Sequence, residues 1–351
     1  MLNEAEREFV RRMPKAELHV HLEGSVRPET LLDLGPAHGV HYPFSDAEGA
    51  REWFRFRDFP HFIEVYVAIC NCLLTVEDYD RVTFELAEDA ARQNIRYLEV
   101  TIAPASLIDP RNIASPDIVL AGCRKGARRA FEELGVRMQF ILDAVRSRPV
   151  EHVMALAEWT VANLGDGLVG LGLGGQEVGY PASLHAAAIQ FARERGVRIS
   201  LHAGETVGPE SVWDALESGS ERIGHGVTSI HDPALVRHLA ERGIVLEVSP
   251  TSNICLGVAT SYAEHPMRAL YDAGVTLTVN TDDPPMFGAT LTGEYIALAD
   301  HCGFSLEELI QLNLNAVRAA FLPDDERNAL LAEFEGEIAR LRDELLPPTS
   351  S

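Results

Sequence analysis

Short apolar runs alternate along this chain with segments whose apolar residues recur every three or four positions, and the two patterns trade places eight times. The runs predict strands at 16–21, 95–102, 136–142, 167–173, 197–202, 221–224, 244–248 and 275–280. Helical periodicity fills the gaps. Over 57–74, Phe59, Phe62, Ile63 and Tyr66 stand at i, i+3, i+4 and i+7, one apolar face. Further helices are expected at 76–93, 118–134, 150–163, 183–195, 209–218, 233–242 and 264–273, and again from 291 to 346. Strict strand–helix alternation means a parallel sheet. Eight units fit an α/β fold of the closed (β/α)8 TIM-barrel kind, with extra C-terminal helices. An open doubly wound sheet is the alternative, but no GxGxxG follows the first strand. No low-complexity linker divides the chain, so residues 1–346 read as a single domain and 347–351 as a loose tail.

Composition narrows the picture. The net charge of −23 argues against nucleic acid or an anionic membrane surface as partner. The first residues are charged and lack the apolar core of a secretory leader, and no apolar run is long enough to span a bilayer. A cytoplasmic protein with a small-molecule partner is expected; the sequence leaves its oligomeric state open. Five cysteines without a CxxC pair indicate neither a disulfide framework nor a thiolate zinc site.

The chemistry collects at the carboxyl ends of the strands, the active rim of such a barrel. His19 and His21 end the first strand, His202 the fifth and His225 the sixth, while Asp282 and Asp283 follow the eighth. Strand side chains repeat every two residues, so His19 and His21 share one face. Two such imidazoles, a third from strand five and a carboxylate make a nitrogen-rich set suited to zinc. A lone histidine is more often an ordinary polar residue, and His38, His41, His61, His152, His185, His231, His238, His265 and His301 are read that way. The turn His202-Ala203-Gly204-Glu205 adds a carboxylic acid beside the candidate metal.

These residues carry a resemblance. The segments PKAELHVHLEG (14–24), GLGLGGQE (170–177), HAGE (202–205), RIGHG (222–226), SPTSN (249–253) and NTDDP (280–284) are similar, in the same order, to the adenosine deaminase family of the amidohydrolase superfamily. The resemblance implies one zinc per chain held by His19, His21, His202 and Asp282. It implies Glu205 as proton donor to a purine ring, His225 and Asp283 to orient and deprotonate a water, and a Gly175 backbone N–H to a purine nitrogen. Zinc would bring the pKa of a water toward ~7, and a protonated ring nitrogen makes the carbon bearing the amine electrophilic. The binuclear branch of the superfamily uses a lysine after strand four, yet no lysine follows residue 150, so one metal is expected.

The wording also departs from the family. Adenosine deaminases usually read HLDG where Glu23 stands here, and Gly172 and Gln176 replace acids. Adenine deaminases carry serines in place of Gly174 and Gly175. The GLGGQE and DDPPMFG segments are similar to deaminases of 6-aminodeoxyfutalosine, an adenine nucleoside of menaquinone biosynthesis. The expected activity is zinc-dependent hydrolytic deamination of a 6-aminopurine nucleoside, adenosine or deoxyadenosine first. The alternatives are 6-aminodeoxyfutalosine and adenine, or, more remotely, a purine-binding barrel without catalysis. Substrate contacts are expected from His21, Glu23, Phe59, Phe62, Gly175 and Asp283, with Phe56 and Ile63 completing an apolar wall.

Overall fold

The computed structural model describes residues 1–104 and 115–346; the expected tail at 347–351 lies outside them. Eight parallel strands form one sheet in sequence order. They are β1 (Lys15–His21), β2 (Ile95–Ile102), β3 (Arg137–Val145), β4 (Leu168–Gly174), β5 (Arg198–Ala203), β6 (Arg222–His225), β7 (Val245–Val248) and β8 (Thr276–Val279). Helices follow each strand and surround the sheet, giving the (β/α)8 barrel. Every β1 residue is buried, as expected of a strand covered on both faces.

The barrel closes between β8 and β1 through the residues that carry the chemistry. Asn280 Oδ1 accepts from the Leu18 and His19 N–H groups at 3.0 and 3.1 Å. The Asp282 N–H donates to His19 O at 3.1 Å, and the His21 N–H to Asp282 O at 2.8 Å. The NTDDP segment therefore supplies the closing stitch as well as candidate ligands.

Several boundaries differ from expectation for one reason: polarity changes before backbone pairing ends. β3 runs on to Val145 instead of stopping at 142, because Asp143 pairs in register with Gly172. β6 includes His225, which pairs with Ala203. The helix expected at 57–74 is Phe59–Cys70, started by Asp58, whose carboxylate caps the His61 N–H. The one expected at 264–273 shortens to Met267–Asp272. Helices Glu4–Arg12, Pro28–Ala37, Ala47–Trp53 and Pro250–Cys255 lie outside the expectation. Glu4–Arg12 is the most informative. Its charged surface hides a capping box between Asn3 and Glu6 and two buried residues, Phe9 and Val10, and the helix packs on the C-terminal helix Asp324–Leu345. Among the described residues no helix is long and apolar enough to cross a membrane.

Candidate active site

Four side chains from three strand ends converge inside the rim. His21 Nε2 lies 3.2 Å from His202 Nε2 and 3.3 Å from Asp282 Oδ1. His19 Nε2 lies 3.4 Å from the same Asp282 oxygen and, although buried, has no hydrogen-bond partner. Atoms about 2.0–2.1 Å from a common tetrahedral ion stand roughly 3.3–3.4 Å from one another, so this spacing suits a zinc-sized cation. The donor set, imidazole nitrogens with one carboxylate, suits the same metal. Burial pulls His21 down to about 4 and His202 well below its ordinary value, leaving both neutral, as ligands must be. Burial also pulls on His19, but Asp282 and Glu247 outweigh it and raise the ring to about 10. A cation at Nε2 would take the place of the proton they favour.

Outer partners fix these groups. His19 Nδ1 faces Glu247 Oε2 at 3.0 Å. Glu247 in turn accepts from Arg222 Nε at 2.6 Å and Ser200 Oγ at 3.0 Å. Ser252 Oγ donates to Asp282 Oδ2 at 2.6 Å. Such bonds set the tautomer and orientation of a ligand ring. Two site residues also hold left-handed backbones, His225 at φ 64° and Asp282 at φ 66°. Strain of this kind persists only where the surroundings impose it.

Glu205 sits on a turn that Glu177 clamps. The Glu177 carboxylate accepts from the N–H groups of Gly204, Thr206 and Val207 at 2.6, 2.7 and 2.9 Å, and from the Ser211 hydroxyl. Gly204 must be glycine: its φ is +66°, and a Cβ there would lie 2.5 Å from Val212. The turn leaves Glu205 Oε1 3.7 Å from His225 Nε2. Burial, reinforced by the charges of Asp282 and Glu177, pushes Glu205 up to about 8, so it keeps its proton at neutral pH. Asp283 is raised well above its ordinary value, by burial first and then by Asp282. Its buried Oδ1 has no partner. Gly24 leaves it room, since a Cβ there would lie 1.6 Å from that oxygen.

A cavity of about 110 Å³ opens on this cluster, and His21, Phe59, Phe62, Gly175, His202, Glu205, His225, Asp282 and Asp283 are among the residues lining it. Two expected residues stand elsewhere. Glu23 is fully buried; its carboxylate accepts from Tyr66 Oη and the Ala103 N–H, both at 3.1 Å, and Tyr66 takes its place on the cavity wall. Phe56 backs Phe62, ring centroids 5.3 Å apart, and lines a separate cavity of about 830 Å³ that shares no lining residue with the first. Spacing along a helix showed an apolar face but not which of its members reaches the pocket.

Asp143 is the residue the sequence reading missed. It lines the same cavity, is buried, and its Oδ1 has no partner. Burial raises it to about 7. A Cβ on Gly172 would lie 2.3 Å from one of its oxygens, and a Cβ on Gly174 2.2 Å from the other, so the glycines of β4 make space for this carboxyl. The signal was present in the GLGLGG run, glycines in a strand often marking a close approach.

An adenosine deaminase family model matches residues 14–336 of this chain. An aminodeoxyfutalosine deaminase of Streptomyces avermitilis is 40% identical over 338 residues, 93% of this chain and 92% of that protein. An adenine deaminase of Rhizobium leguminosarum bv. trifolii is 38% identical, over 92% of this chain and 99% of its own. A crystal structure of an amidohydrolase from Burkhoderia ambifaria with bound zinc superposes with a TM-score of 0.89 at 30% identity, covering 98% of this chain and 96% of that one.

Proposed function

The chain belongs to the adenosine deaminase family, enzymes that hydrolyse C–N bonds of aminopurine-type compounds, and from that premise we propose that it deaminates an adenine nucleoside of the 6-aminodeoxyfutalosine type with one bound zinc. The sequence ranks adenosine and deoxyadenosine first. The relatives described above carry the names aminodeoxyfutalosine deaminase and adenine deaminase, which favours the reading placed second. Between those two, the glycine-lined wall carries the choice. Serine at 174 would put a Cβ 2.2 Å from an Asp143 carboxyl oxygen, so that carboxyl would have to move to admit the side chain of the adenine-type pattern. The aromatic wall of Phe59, Phe62 and Tyr66 also offers more apolar surface than a free base needs.

His19, His21, His202 and Asp282 would hold the zinc. When bound, it supplies a nucleophilic hydroxide at neutral pH and stabilises charge building at the reacting carbon. The remaining steps belong to the chain. The purine lies with its ring nitrogen toward Glu205, which donates its proton there and so opens the neighbouring carbon to water. Asp283, which lines the cavity and whose buried Oδ1 has no partner, stands beside the incoming water and the departing amine. The C–O bond forms and the C–N bond breaks; one proton of the water leaves with the amine as ammonia, and the other returns to Glu205 as the ring keeps the proton it was given. The purine edge rests against the Gly175 backbone N–H, where φ +86° favours glycine.

Zinc-loaded protein incubated with 6-aminodeoxyfutalosine, adenosine, deoxyadenosine, adenine and N6-methyladenine tests this directly. Ammonia release from the first is expected. No release from any of them would remove the deaminase reading.

A further inference from the structure

Behind His225 runs a chain of three hydrogen bonds whose direction is set at its far end. The Met267 backbone N–H donates to His265 Nδ1 at 3.1 Å. A peptide N–H can only donate, so Nδ1 of His265 is bare and its proton sits on Nε2. That Nε2 lies 3.1 Å from Asn253 Oδ1, which therefore accepts. The amide of Asn253 is thereby oriented with its NH2 toward His225, and Nδ2 stands 3.3 Å from His225 Nδ1. An NH2 group cannot accept, so Nδ1 of His225 is bare as well. All three side chains are buried.

We propose that Asn253 and His265 are positioning residues that lock His225 in its Nε2–H tautomer, so that His225 presents a hydrogen-bond donor to the reaction and not a base. The proton lies on the ring nitrogen that faces Glu205 Oε1 and the metal-binding cluster. An imidazolium would set an N–H against the Asn253 NH2. The resemblance assigned water deprotonation to His225 and Asp283 together. A cation held beside it by Asp282 would favour the ionised form of Asp283, so the relay leaves the accepting role to that carboxylate, whose buried Oδ1 is unpartnered. His225 is left to donate to the oxygen as it gains negative charge at the ring carbon. Along the chain nothing links His265 to residue 225, so there it reads as an ordinary polar histidine.

This inference rests on the deaminase reading only for its place in the reaction. The tautomer itself can be read without substrate, so the two fail separately. Protein labelled with ¹⁵N-histidine is compared by long-range ¹H–¹⁵N spectra with and without zinc, the His225 signals being identified by their loss in H225Q. His225 should show a protonated Nε2 and a bare Nδ1 in both states. N253D places a carboxylate oxygen against Nδ1, so the proton should move to Nδ1 and kcat should fall at least tenfold, with zinc content kept. H265F, which lets the Asn253 amide turn, should show His225 as a mixture of tautomers, while H265Q, still able to donate to Asn253, should keep the single form. A bare Nε2 in the wild type, as base or as metal ligand, would overturn the proposal. So would an unchanged His225 spectrum in both N253D and H265F.

Discussion

Glu205 shows how a residue's surroundings settle what it does. A carboxyl on an open turn would be ionised at neutral pH; buried beside Asp282 it holds its proton up to about 8. Glu205→Gln keeps the shape and loses the proton that can be given away. It should bind zinc like the wild type and lose roughly 10²–10⁴-fold in kcat, the usual worth of general acid catalysis. Elemental analysis alongside steady-state rates checks both halves. Near wild-type turnover would assign the proton to another group. At this scale the sequence was informative where a polar residue ended an apolar run, as at His202 and His225. It was silent at Asp143, which lies inside β3 and reads as the strand's end. It was also silent about Glu23, whose burial behind Tyr66 depends on where a helix from the β1–β2 connection packs.

Turns and short helices turn these residues into a site. Glu177 ends the GLGLGGQE segment and ties down the turn that bears Glu205. Glu177→Ala would leave the Thr206 and Val207 N–H groups without their acceptor and Gly204 with only a long bond to Ser211 Oγ, at a cost of about 1–3 kcal/mol for each that stays dry. We expect a lower Tm together with a kcat loss of tenfold or more, since a slightly misplaced acid costs rate steeply. A Tm loss with kcat intact would make Glu177 a purely structural clamp. Glu294, on the helix Leu291–His301, anchors the short helix that carries Ser252 and Asn253. Its Oε1 accepts from the Thr251 N–H at 3.0 Å and its Oε2 from Tyr262 Oη at 3.2 Å. Burial raises it to about 7 against those bonds. Between about pH 4.5 and 7 the native state keeps this proton and the unfolded chain has lost it, so the group's contribution to stability falls as pH rises through that window. Glu294→Gln carries no such proton. Its unfolding free energy relative to wild type should therefore climb between pH 5 and 7 and level off above, by up to about 3 kcal/mol. A difference flat across that range would mean the carboxyl is ionised throughout. The helices that lay outside the sequence reading, such as Pro250–Cys255, are short and draw their order from such tertiary anchors more than from periodicity.

For the whole molecule, eightfold alternation made the barrel legible, because each strand and helix buries one continuous apolar pattern. Closure was not legible. It depends on Asn280 and the Asp282 backbone bridging to β1 across more than 250 residues of chain, which no local pattern reports. Because Asp282 belongs both to that seam and to the ligand cluster, metal and barrel should be coupled. Zinc at a thousand times its Kd would add about 4 kcal/mol to stability. Chelation should lower Tm and addition of one equivalent should restore it. His202→Ala should bind less than one zinc per chain, and two metals per wild-type chain would contradict the single site. The most direct measurement of the account as a whole is the ratio of kcat/KM for 6-aminodeoxyfutalosine to that for adenine, followed by loss of purine absorbance with the zinc-loaded enzyme. Contacts beyond the purine should help the transition state, so the nucleoside should lead by tenfold or more. Adenine faster by a factor of about ten, some 1.4 kcal/mol, would contradict the reading of the Asp143–glycine wall and of the aromatic residues that line the same cavity.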